Sequence, residues 1–474
     1  MLFHSWQFLV FFPAVSLLFR LTSKASRVWL LLVAGAMFYM AFIPSYLAIL
    51  LAMIVIDYLA GLAIERSTDP VRRKTALAAS VCVNLGILFT FKYLDLAMSS
   101  LATAAQWMGW GFVWKAQDWI LPLGLSFHTF QAIAYTVEVY SGRFTAERSF
   151  PRYALYILFY PQLVAGPIER PQSLLAQFRD WRGVVDGDIV SGLRLMAWGL
   201  FKKVVVADRI APVVDMVFSE PGNCTGIQVI AAALLFLMQI YCDFSGYCDI
   251  ARGAARTMAI DLVNNFRAPF NSVSIREFWR RWNVSLAEWL RDYVFYPVGG
   301  GGRKRAAPIK GTLIVFLASG IWHGANWTFV TWGLLNGVYC CVEALVSPGR
   351  APKPEGWRLF GRQALLYVLV AFSMILSRAT SLATSATLLG QLRTGWSLGA
   401  LRAQMSEIGL HATRLCTLFA GISIVLCVEG DRLGPWLREL VLPRAAVRWT
   451  CYYALLAAIL MYLDSGQRFI YFQF

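Results

Sequence analysis

Apolar segments recur along the whole chain, and they constrain its fold more than any other feature. The run from Trp29 to Ile64 is long enough for two membrane-spanning helices, with a break at Pro44–Ser45. Hydrophobic residues make up 58% of the chain and charged residues 15%, which excludes an ordinary soluble domain. We therefore predict an all-α polytopic membrane protein with about 11 to 13 spanning or re-entrant helices. The first run, from Trp6, lacks a signal-peptide cleavage pattern, and we expect it to be retained.

The net charge of +16 comes mainly from basic residues in short loops between the apolar runs. This distribution follows the positive-inside rule, so it indicates a membrane orientation and not nucleic-acid binding. Three basic loops, 66–74, 143–152 and 267–310, are predicted to be cytoplasmic. Segments 99–118 and 215–226 are nearly free of basic residues, and we predict that they face the other side.

The apolar segment Pro151–Pro171 is interrupted by Pro161 and by Gly166–Pro167, and basic residues flank it on both sides. We predict a re-entrant or broken segment, which a membrane protein tolerates only where protein lines it. The chain shows no internal repeat, so we predict a single membrane-embedded domain over 1–474. Its nine cysteines form no CxxC pair of zinc-site type, and we predict no metal site.

The largest basic loop contains an amphipathic pattern that begins at Ser274. Ser274 and Glu277 match a capping box, and apolar residues then recur at helical spacing as far as Trp289. Pro297 and the glycine run 299–302 end the predicted helix. The polar face carries four arginines: Arg276, Arg280, Arg281 and Arg291.

Two interpretations of these arginines remain open. In the first, the helix lies in the headgroup layer, and the arginines contact lipid phosphates. In the second, the arginines bind the phosphates of a cytoplasmic acyl donor, together with Arg303, Lys304 and Arg305. The glycine run 299–302 has no Walker lysine-serine context, so it does not predict a nucleotide loop.

His323 stands inside the apolar segment Gly320–Gly337, in a chain with four histidines. A titratable ring in such a segment needs a partner or a watery cavity. His323 is either a packed core histidine or a general base that takes the proton from a hydroxyl as the oxygen attacks a thioester.

Asp243 and Asp249 lie in or at the edge of another apolar run. Six residues apart, they fall on different helical faces, so we expect no paired carboxylate site. Asp243 has two open roles: it accepts hydrogen bonds that hold a broken helix, or it takes part in chemistry.

Six segments together resemble the membrane-bound O-acyltransferases, and more narrowly the bacterial alginate O-acetyltransferase subgroup. They are LPLGLSFHTFQ (121–131), LVAGPIERP (163–171), YCDFSGYCDIA (241–251), REFWRRW with WLRDYVFYPVGG (276–300), SGIWHGANWTFVTWGLLNG (319–337) and FIYFQF (469–474). They follow one another in the family's order along nearly the whole chain. The WHG segment is the most specific of them.

The resemblance implies a ring of tilted helices around a tunnel, with the histidine of WHG as the catalytic residue, here His323. Relatives often carry a second histidine after RRW, where this chain has Asn283. An asparagine can hydrogen-bond but cannot titrate, so a proton-relay role at this position is in doubt. His128 is predicted to pack in the core or to line the tunnel. The candidate tunnel or donor-binding residues are Asn283, Trp322, Asn326, His128, Asp243, Arg280 and Arg281.

The resemblance further implies an O-acyltransferase of the bacterial inner membrane. It would move an acetyl group from a cytoplasmic thioester such as acetyl-CoA outward, for O-acetylation of an exopolysaccharide. We expect no bound cofactor, membrane lipid around the chain, and a periplasmic acetyl-accepting or acetyltransferase partner protein. The alternative is a non-enzymatic transporter of a small anion or glycan precursor with His323 in a proton relay. Transporters of the common folds show paired halves, and the sequence has none.

Overall fold

The computed structural model describes residues 1–117, 119–302, 306–347, 355–397, 399, 412–431, 433–441 and 443–463. These residues form helices and no strand, which confirms the predicted all-α class. The helices are α1 (Trp6–Leu21), α2 (Lys24–Met40), α3 (Tyr46–Arg66), α4 (Pro70–Leu88), α5 (Leu94–Trp107), α6 (Leu125–Tyr140), α7 (Phe150–Leu158), α8 (Pro171–Arg179), α9 (Asp186–Leu200), α10 (Asp208–Ser219), α11 (Gly226–Arg256), α12 (Ile275–Arg281), α13 (Val284–Leu290), α14 (Ala306–His323), α15 (Trp327–Val346), α16 (Gly356–Arg378), α17 (Leu382–Gln391), α18 (Ala412–Glu429), α19 (Leu433–Val441) and α20 (Ala445–Tyr462). Three π-helical segments interrupt or extend them: Phe89–Tyr93, Phe201–Ala207 and Arg291–Phe295.

Among the described residues, six helical segments are long and apolar enough to cross a membrane. They are Tyr46–Arg66, Pro70–Trp107, Gly226–Arg256, Trp327–Val346, Gly356–Arg378 and Ala445–Tyr462. Many of their apolar side chains face outward; for example, Leu365 is 60% and Leu460 62% exposed. Such surfaces suit lipid, and they confirm a multi-pass membrane protein. The prediction of about 11 to 13 helices from the sequence is larger because it also counted shorter and re-entrant segments.

The chain forms two compact units, Met1–Met196 with Ile250–Val263 and Ala197–Asp249 with Asn264–Phe474. In the first unit, the predicted break at Pro44–Ser45 lies between the end of α2 at Met40 and the start of α3 at Tyr46. The buried carboxylate of Asp57 joins α3 to α4, since it accepts hydrogen bonds from Ser80 Oγ at 2.6 Å and Asn84 Nδ2 at 2.8 Å. A single domain over the full chain stays a prediction.

The segment predicted to be re-entrant or broken is indeed interrupted. Helix α7 ends at Leu158, and residues 159–169 are buried without forming a helix before α8 begins at Pro171. Side chains satisfy part of this irregular backbone: Gln131 Nε2 and Gln162 Nε2 each donate to the Tyr156 carbonyl at 2.6 Å. Tyr156 Oη donates to the Glu169 carbonyl at 2.7 Å. The irregular chain is therefore lined by protein, as its depth requires.

In the second unit, two glycines set the distance between α14 and α15. A Cβ atom added to Gly320 would lie 2.4 Å from the Phe329 carbonyl oxygen. One added to Gly333 would lie 2.4 Å from the Phe316 carbonyl oxygen. Both distances are far below van der Waals contact, so only glycine lets the two backbones approach this closely. This helix pair carries His323.

Candidate functional site

His323 is the last residue of α14, at the turn that leads into α15. Asn326 holds this turn: its Oδ1 accepts a hydrogen bond from Thr328 N at 3.0 Å, which caps α15. The same amide donates through Nδ2 to the Thr380 carbonyl at 2.8 Å. Asn326 stays a candidate tunnel or donor-binding residue, and in the structure both polar atoms of its side chain make hydrogen bonds at this turn.

The His323 ring is half-buried and held edge-on by two tryptophans. Its centroid lies 4.9 Å from that of Trp322 at an interplanar angle of 76°, and 5.2 Å from that of Trp332 at 86°. Both indoles are only 4% exposed. Edge-to-face packing restricts the tilt of the imidazole, while its partial exposure leaves it within reach of a ligand.

A row of packed tryptophans runs from the WHG segment to the amphipathic segment that begins at Ser274 and ends at the glycine run 299–302, which we call the amphipathic block. Trp332 packs edge to face on Trp279 at 5.5 Å, and Trp279 on Trp282 at 6.4 Å. We call Trp279, Trp282, Trp322 and Trp332, with the enclosed His323, the indole cluster. Among the described residues, Nε1 of Trp279 and Nε1 of Trp332 are buried without a hydrogen-bond acceptor. The structure thus places two unsatisfied donors in the cluster that holds the histidine.

The predicted single helix from Ser274 to Trp289 is wrong in one respect, because it is broken after Arg281. Its start is confirmed, since Ser274 Oγ accepts from Glu277 N at 3.2 Å. The break arises where the chain pairs with a preceding segment: Arg267 N donates to the Arg281 carbonyl, and Val284 N donates to the Asn265 carbonyl, both at 3.0 Å. These backbone groups cannot also serve a continuous helix, so α12 and α13 are separate.

Asn283 lies at this break. Its backbone is left-handed, with φ 46° and ψ 58°, a conformation that asparagine tolerates better than most residues. The side chain is 3% exposed, yet neither Oδ1 nor Nδ2 has a hydrogen-bond partner within the described part of the chain. The first turn of α13 is capped by a different side chain, since Asn265 Oδ1 accepts a hydrogen bond from Ser285 N at 3.1 Å. The Asn283 amide therefore has no capping role. A buried amide without partners is rare and needs an explanation.

The arginines of the amphipathic block differ in their contacts. Arg276 Nε donates to Glu343 at 3.2 Å, and Arg291 Nε to Asp292 at 2.8 Å. Arg281 contacts Glu277 and Asp431, each at 3.0 Å. Arg280 is exposed and forms no ion pair with any described residue. Of the four, Arg280 is therefore the one whose charge is available to a ligand or lipid.

Two lysines were missed as site residues by the sequence analysis, which assigned basic residues to loops. The π-helical segment Phe201–Ala207 carries Lys202 and Lys203, which are 1% and 4% exposed. Lys202 Nζ lies 2.7 Å from Asp249 and 2.8 Å from Glu429. Lys203 Nζ lies 2.7 Å from Asp208 and 2.8 Å from Asp243. We call these six residues the lysine cluster.

The lysine cluster corrects our interpretation of Asp243. Helix α11 is continuous through Asp243, so this carboxylate does not hold a broken helix. It pairs with Lys203, while Asp249 pairs with Lys202, which agrees with their predicted placement on different faces. The signal available in the sequence was a pair of lysines within an apolar run, because buried cations need anionic partners.

The remaining candidates lie elsewhere. His128 is 2% exposed in α6 of the first unit, where its ring packs on Tyr39 at 6.5 Å. Arg303, Lys304, Arg305 and segment 469–474 lie outside the described residues.

Within the described residues, no three His, Cys, Asp or Glu side chains group as metal ligands. None of the nine cysteines forms a disulfide; five are buried, and Cys82, Cys416 and Cys451 are exposed.

Comparison with known proteins identifies relatives along most of the chain. Residues 143–377 match the model of "MBOAT, membrane-bound O-acyltransferase family", a region that includes His323 and Asn283 but not His128. The chain is 34% identical over 430 residues to "Probable alginate O-acetylase AlgI" of Pseudomonas syringae pv. tomato, covering 89% of this chain and 81% of that protein. It is 33% identical over 351 residues to "Peptidoglycan O-acetyltransferase" of Helicobacter pylori, covering 68% and 65%. It is 29% identical over 231 residues to "Teichoic acid D-alanyltransferase" of Bacillus subtilis, covering 46% and 57%.

Proposed function

Since the chain belongs to the membrane-bound O-acyltransferase family and is a multi-pass O-acetyltransferase of the alginate O-acetylase type, we propose that it takes an acetyl group from a cytoplasmic thioester and passes it outward across the inner membrane. The donor would be acetyl-CoA or a similar thioester. The final acceptor would be a hydroxyl of an exopolysaccharide. Relatives named for alginate and for peptidoglycan support a glycan acceptor without choosing between polymers.

The observation that carries the proposal is the setting of His323. Its ring is half-buried at the end of α14 and packed edge-on between Trp322 and Trp332. In the proposed step, the imidazole takes the proton of the acceptor hydroxyl as the hydroxyl oxygen attacks the thioester carbonyl. The C–O bond forms, the C–S bond breaks, and the leaving thiolate receives the proton back from the imidazolium. The family resemblance assigns the same residue.

The unsatisfied groups of the indole cluster, and of Asn283 next to it in the sequence, support binding of a polar ligand near His323. Nε1 of Trp332 and Nε1 of Trp279 are hydrogen-bond donors without an acceptor among the described residues, and the Asn283 amide is equally unsatisfied. A thioester carbonyl, or the oxyanion that forms from it, is the acceptor that such donors stabilise. We propose that the indoles face the acyl group and that Asn283 binds another polar part of the donor.

We further propose that Arg280 binds a phosphate group of the donor. It is exposed on the loop predicted to be cytoplasmic, and it forms no ion pair with described residues. Its neighbours Arg276 and Arg281 are occupied by Glu343, Glu277 and Asp431. A free guanidinium suits a phosphate group. On the outer side, a periplasmic protein with its own serine nucleophile would complete delivery to the polysaccharide.

The test uses purified protein in sealed vesicles with acetyl-labelled acetyl-CoA on one side and a soluble glycan on the other. We expect label to become covalently attached to the glycan, or to a supplied acceptor protein, without acetyl-CoA itself crossing the membrane. His323→Ala should abolish this transfer, and His323→Gln should reduce it nearly as far. Passage of intact donor or glycan without ester formation would instead identify a transporter, and the proposal would be wrong.

A further inference from the structure

The first unit contains an open cavity of about 710 Å³ at the start of α2, beside the start of α7 and the end of α8. Three cations, Lys24, Arg152 and Arg179, line it, together with the indoles of Trp29 and Trp181. It is built entirely from the first unit and shares no residue with the indole cluster.

The charges around the cavity do not balance. Arg152 and Arg179 share the single buried carboxylate of Glu147, at 3.5 Å and 2.8 Å. Glu147 itself does not line the cavity, whereas Asp180 is an acidic residue of the wall. Lys24 is exposed, and it forms no ion pair within the described residues. Three cations of the wall are therefore matched by two carboxylates, Asp180 in the wall and Glu147 outside it.

A fourth cation lies next to this wall. Arg27, one helical turn after Lys24, is 8% exposed, and its Nε and Nη1 have no hydrogen-bond partner in the described part of the chain. Its guanidinium stands 4.4 Å above the ring of Phe19, which in turn packs on the cavity residue Trp181 at 5.6 Å. Two buried guanidinium nitrogens without acceptors are costly, and although Arg27 does not itself line the cavity, the attraction of an anion bound next to it would lower that cost.

An apolar stripe leads away from the cavity along α2. Trp29, Val33 and Met37 are 59%, 58% and 53% exposed. Their spacing of four residues places them on one face of the helix. A ligand with a phosphate at one end and an acyl chain at the other would cover both features. A free phosphate would leave the stripe bare.

We propose that this cavity binds the phosphate of an anionic phospholipid headgroup, with an acyl chain of the same lipid on the exposed face of α2. Clustered basic residues with neighbouring tryptophans at the cytoplasmic surface are the chemistry that recognises such headgroups. The lipid would neutralise the excess charge and connect α2 to α7 and α8. This site is separate from acyl transfer, and its existence does not depend on the role of His323.

Binding is tested with the full-length protein in a neutral detergent, by native mass spectrometry with short-chain phosphatidylglycerol, short-chain phosphatidylcholine and glycerol 3-phosphate. We expect phosphatidylglycerol to bind most tightly. Lys24→Gln should weaken its binding about fivefold, the equivalent of about 1 kcal/mol per basic residue near an anionic headgroup. Arg27→Gln should also weaken it, by a smaller factor, because Arg27 lies next to the wall and not in it.

Lys74→Gln is the matched control, because Lys74 is also exposed, forms no ion pair with described residues and lies outside the cavity. It should bind phosphatidylglycerol as the unchanged protein does. Equal affinity for phosphatidylcholine, or equal loss in Lys24→Gln and Lys74→Gln, would overturn the site. If glycerol 3-phosphate bound as tightly as phosphatidylglycerol, the assignment to a lipid would be wrong. Lys24→Gln keeps the test decisive even if Arg27→Gln fails to fold, because Lys24 is exposed.

Discussion

The lysine cluster and the indole cluster are two buried polar regions of the second unit, and they differ in how their groups are paired. In the lysine cluster, each ammonium lies within 2.8 Å of two carboxylates. In the indole cluster, two indole N–H groups have no acceptor among the described residues. The adjacent Asn283 amide has no partner there either. Both cations of the lysine cluster are thus paired, whereas several hydrogen-bonding groups in and next to the indole cluster lack partners among the described residues.

Whether the polar groups of a buried site are paired distinguishes a stabilising site from a ligand-binding site better than burial or charge does. A completed ion cluster repays the cost of burying its charges only while every partner is present, so it fixes helices in place. Unsatisfied donors beside a half-exposed imidazole gain their partners when a ligand arrives, and that gain can be used in catalysis. Substitutions in the first kind of site should lower the stability of the fold, and substitutions in the second kind should lower the rate of turnover.

The largest effect should come from the indole cluster. His323→Ala removes the proposed base, and we expect the rate of acetyl transfer to fall by about 10²–10⁴-fold with little change in thermal unfolding. Single-turnover transfer from labelled acetyl-CoA measures this. The control is His128→Gln, which changes a buried histidine of the first unit and should keep most of the activity. Substantial activity in a well-folded His323→Ala protein would remove His323 from the mechanism.

Lys202→Met tests the other side of the comparison. It leaves Asp249 and Glu429 without their shared cation, and breaking a buried pair in this way costs about 3–5 kcal/mol of stability. We expect a much lower unfolding temperature in detergent. Changing both carboxylates to amides in the same variant should restore part of the loss. A stable but inactive Lys202→Met protein would show that the lysine cluster takes part in chemistry.

Asn283 should give an intermediate effect on turnover. Asn283→Gly keeps the left-handed backbone accessible and removes the amide alone, which should raise the barrier by about 1–3 kcal/mol. Asn283→Ala should lose further stability because alanine is strained at φ 46°. Complete inactivity of a folded Asn283→Gly protein would mean that the amide has an essential task.

The histidine that the family resemblance leads us to expect after RRW can be introduced at the same position. Asn283→His should be tolerated, since histidine is also found in left-handed conformations. The added imidazole should introduce a second ionisation near neutral pH in the pH–rate profile. An unchanged profile would place this side chain away from the reacting groups.

The smallest effect is expected from two neighbouring arginines. Arg280→Gln should raise the KM for the donor by up to about fivefold with kcat unchanged, because an exposed ionic contact is worth at most about 1 kcal/mol. Arg281→Gln is its matched control: it frees Glu277 and Asp431, so it should lower stability slightly and leave KM alone. The reverse pattern would assign donor binding to Arg281 instead.

Local signals in the sequence predicted the features that depend on neighbouring residues. The break at Pro44–Ser45, the interruption after Leu158 and the Ser274 cap each follow from a few adjacent side chains. The family resemblance was confirmed by relatives that cover most of the chain.

Contacts between distant segments were not predictable in this way. The break at Asn283 depends on backbone pairing with Asn265, which no periodicity shows. Lys202 forms an ion pair with Glu429, which is 227 residues away along the chain. The unsatisfied state of the two indoles is likewise visible only once the helices are packed.

The contact between Gly320 and Gly333 has a consequence for motion. Because the two backbones lie in close contact at Gly320 and Gly333, there is little free space there for α14 and α15 to shift against each other, and we expect the two helices to move together. If His323 acts as the proposed base, we expect its imidazole to keep its place during turnover and any opening that admits substrates to occur in other segments. Such stiffness matters because a shift of about 1 Å in a reacting group can cost about 10²-fold in rate. Hydrogen exchange at these backbone amides should be slow, and equally slow with and without donor.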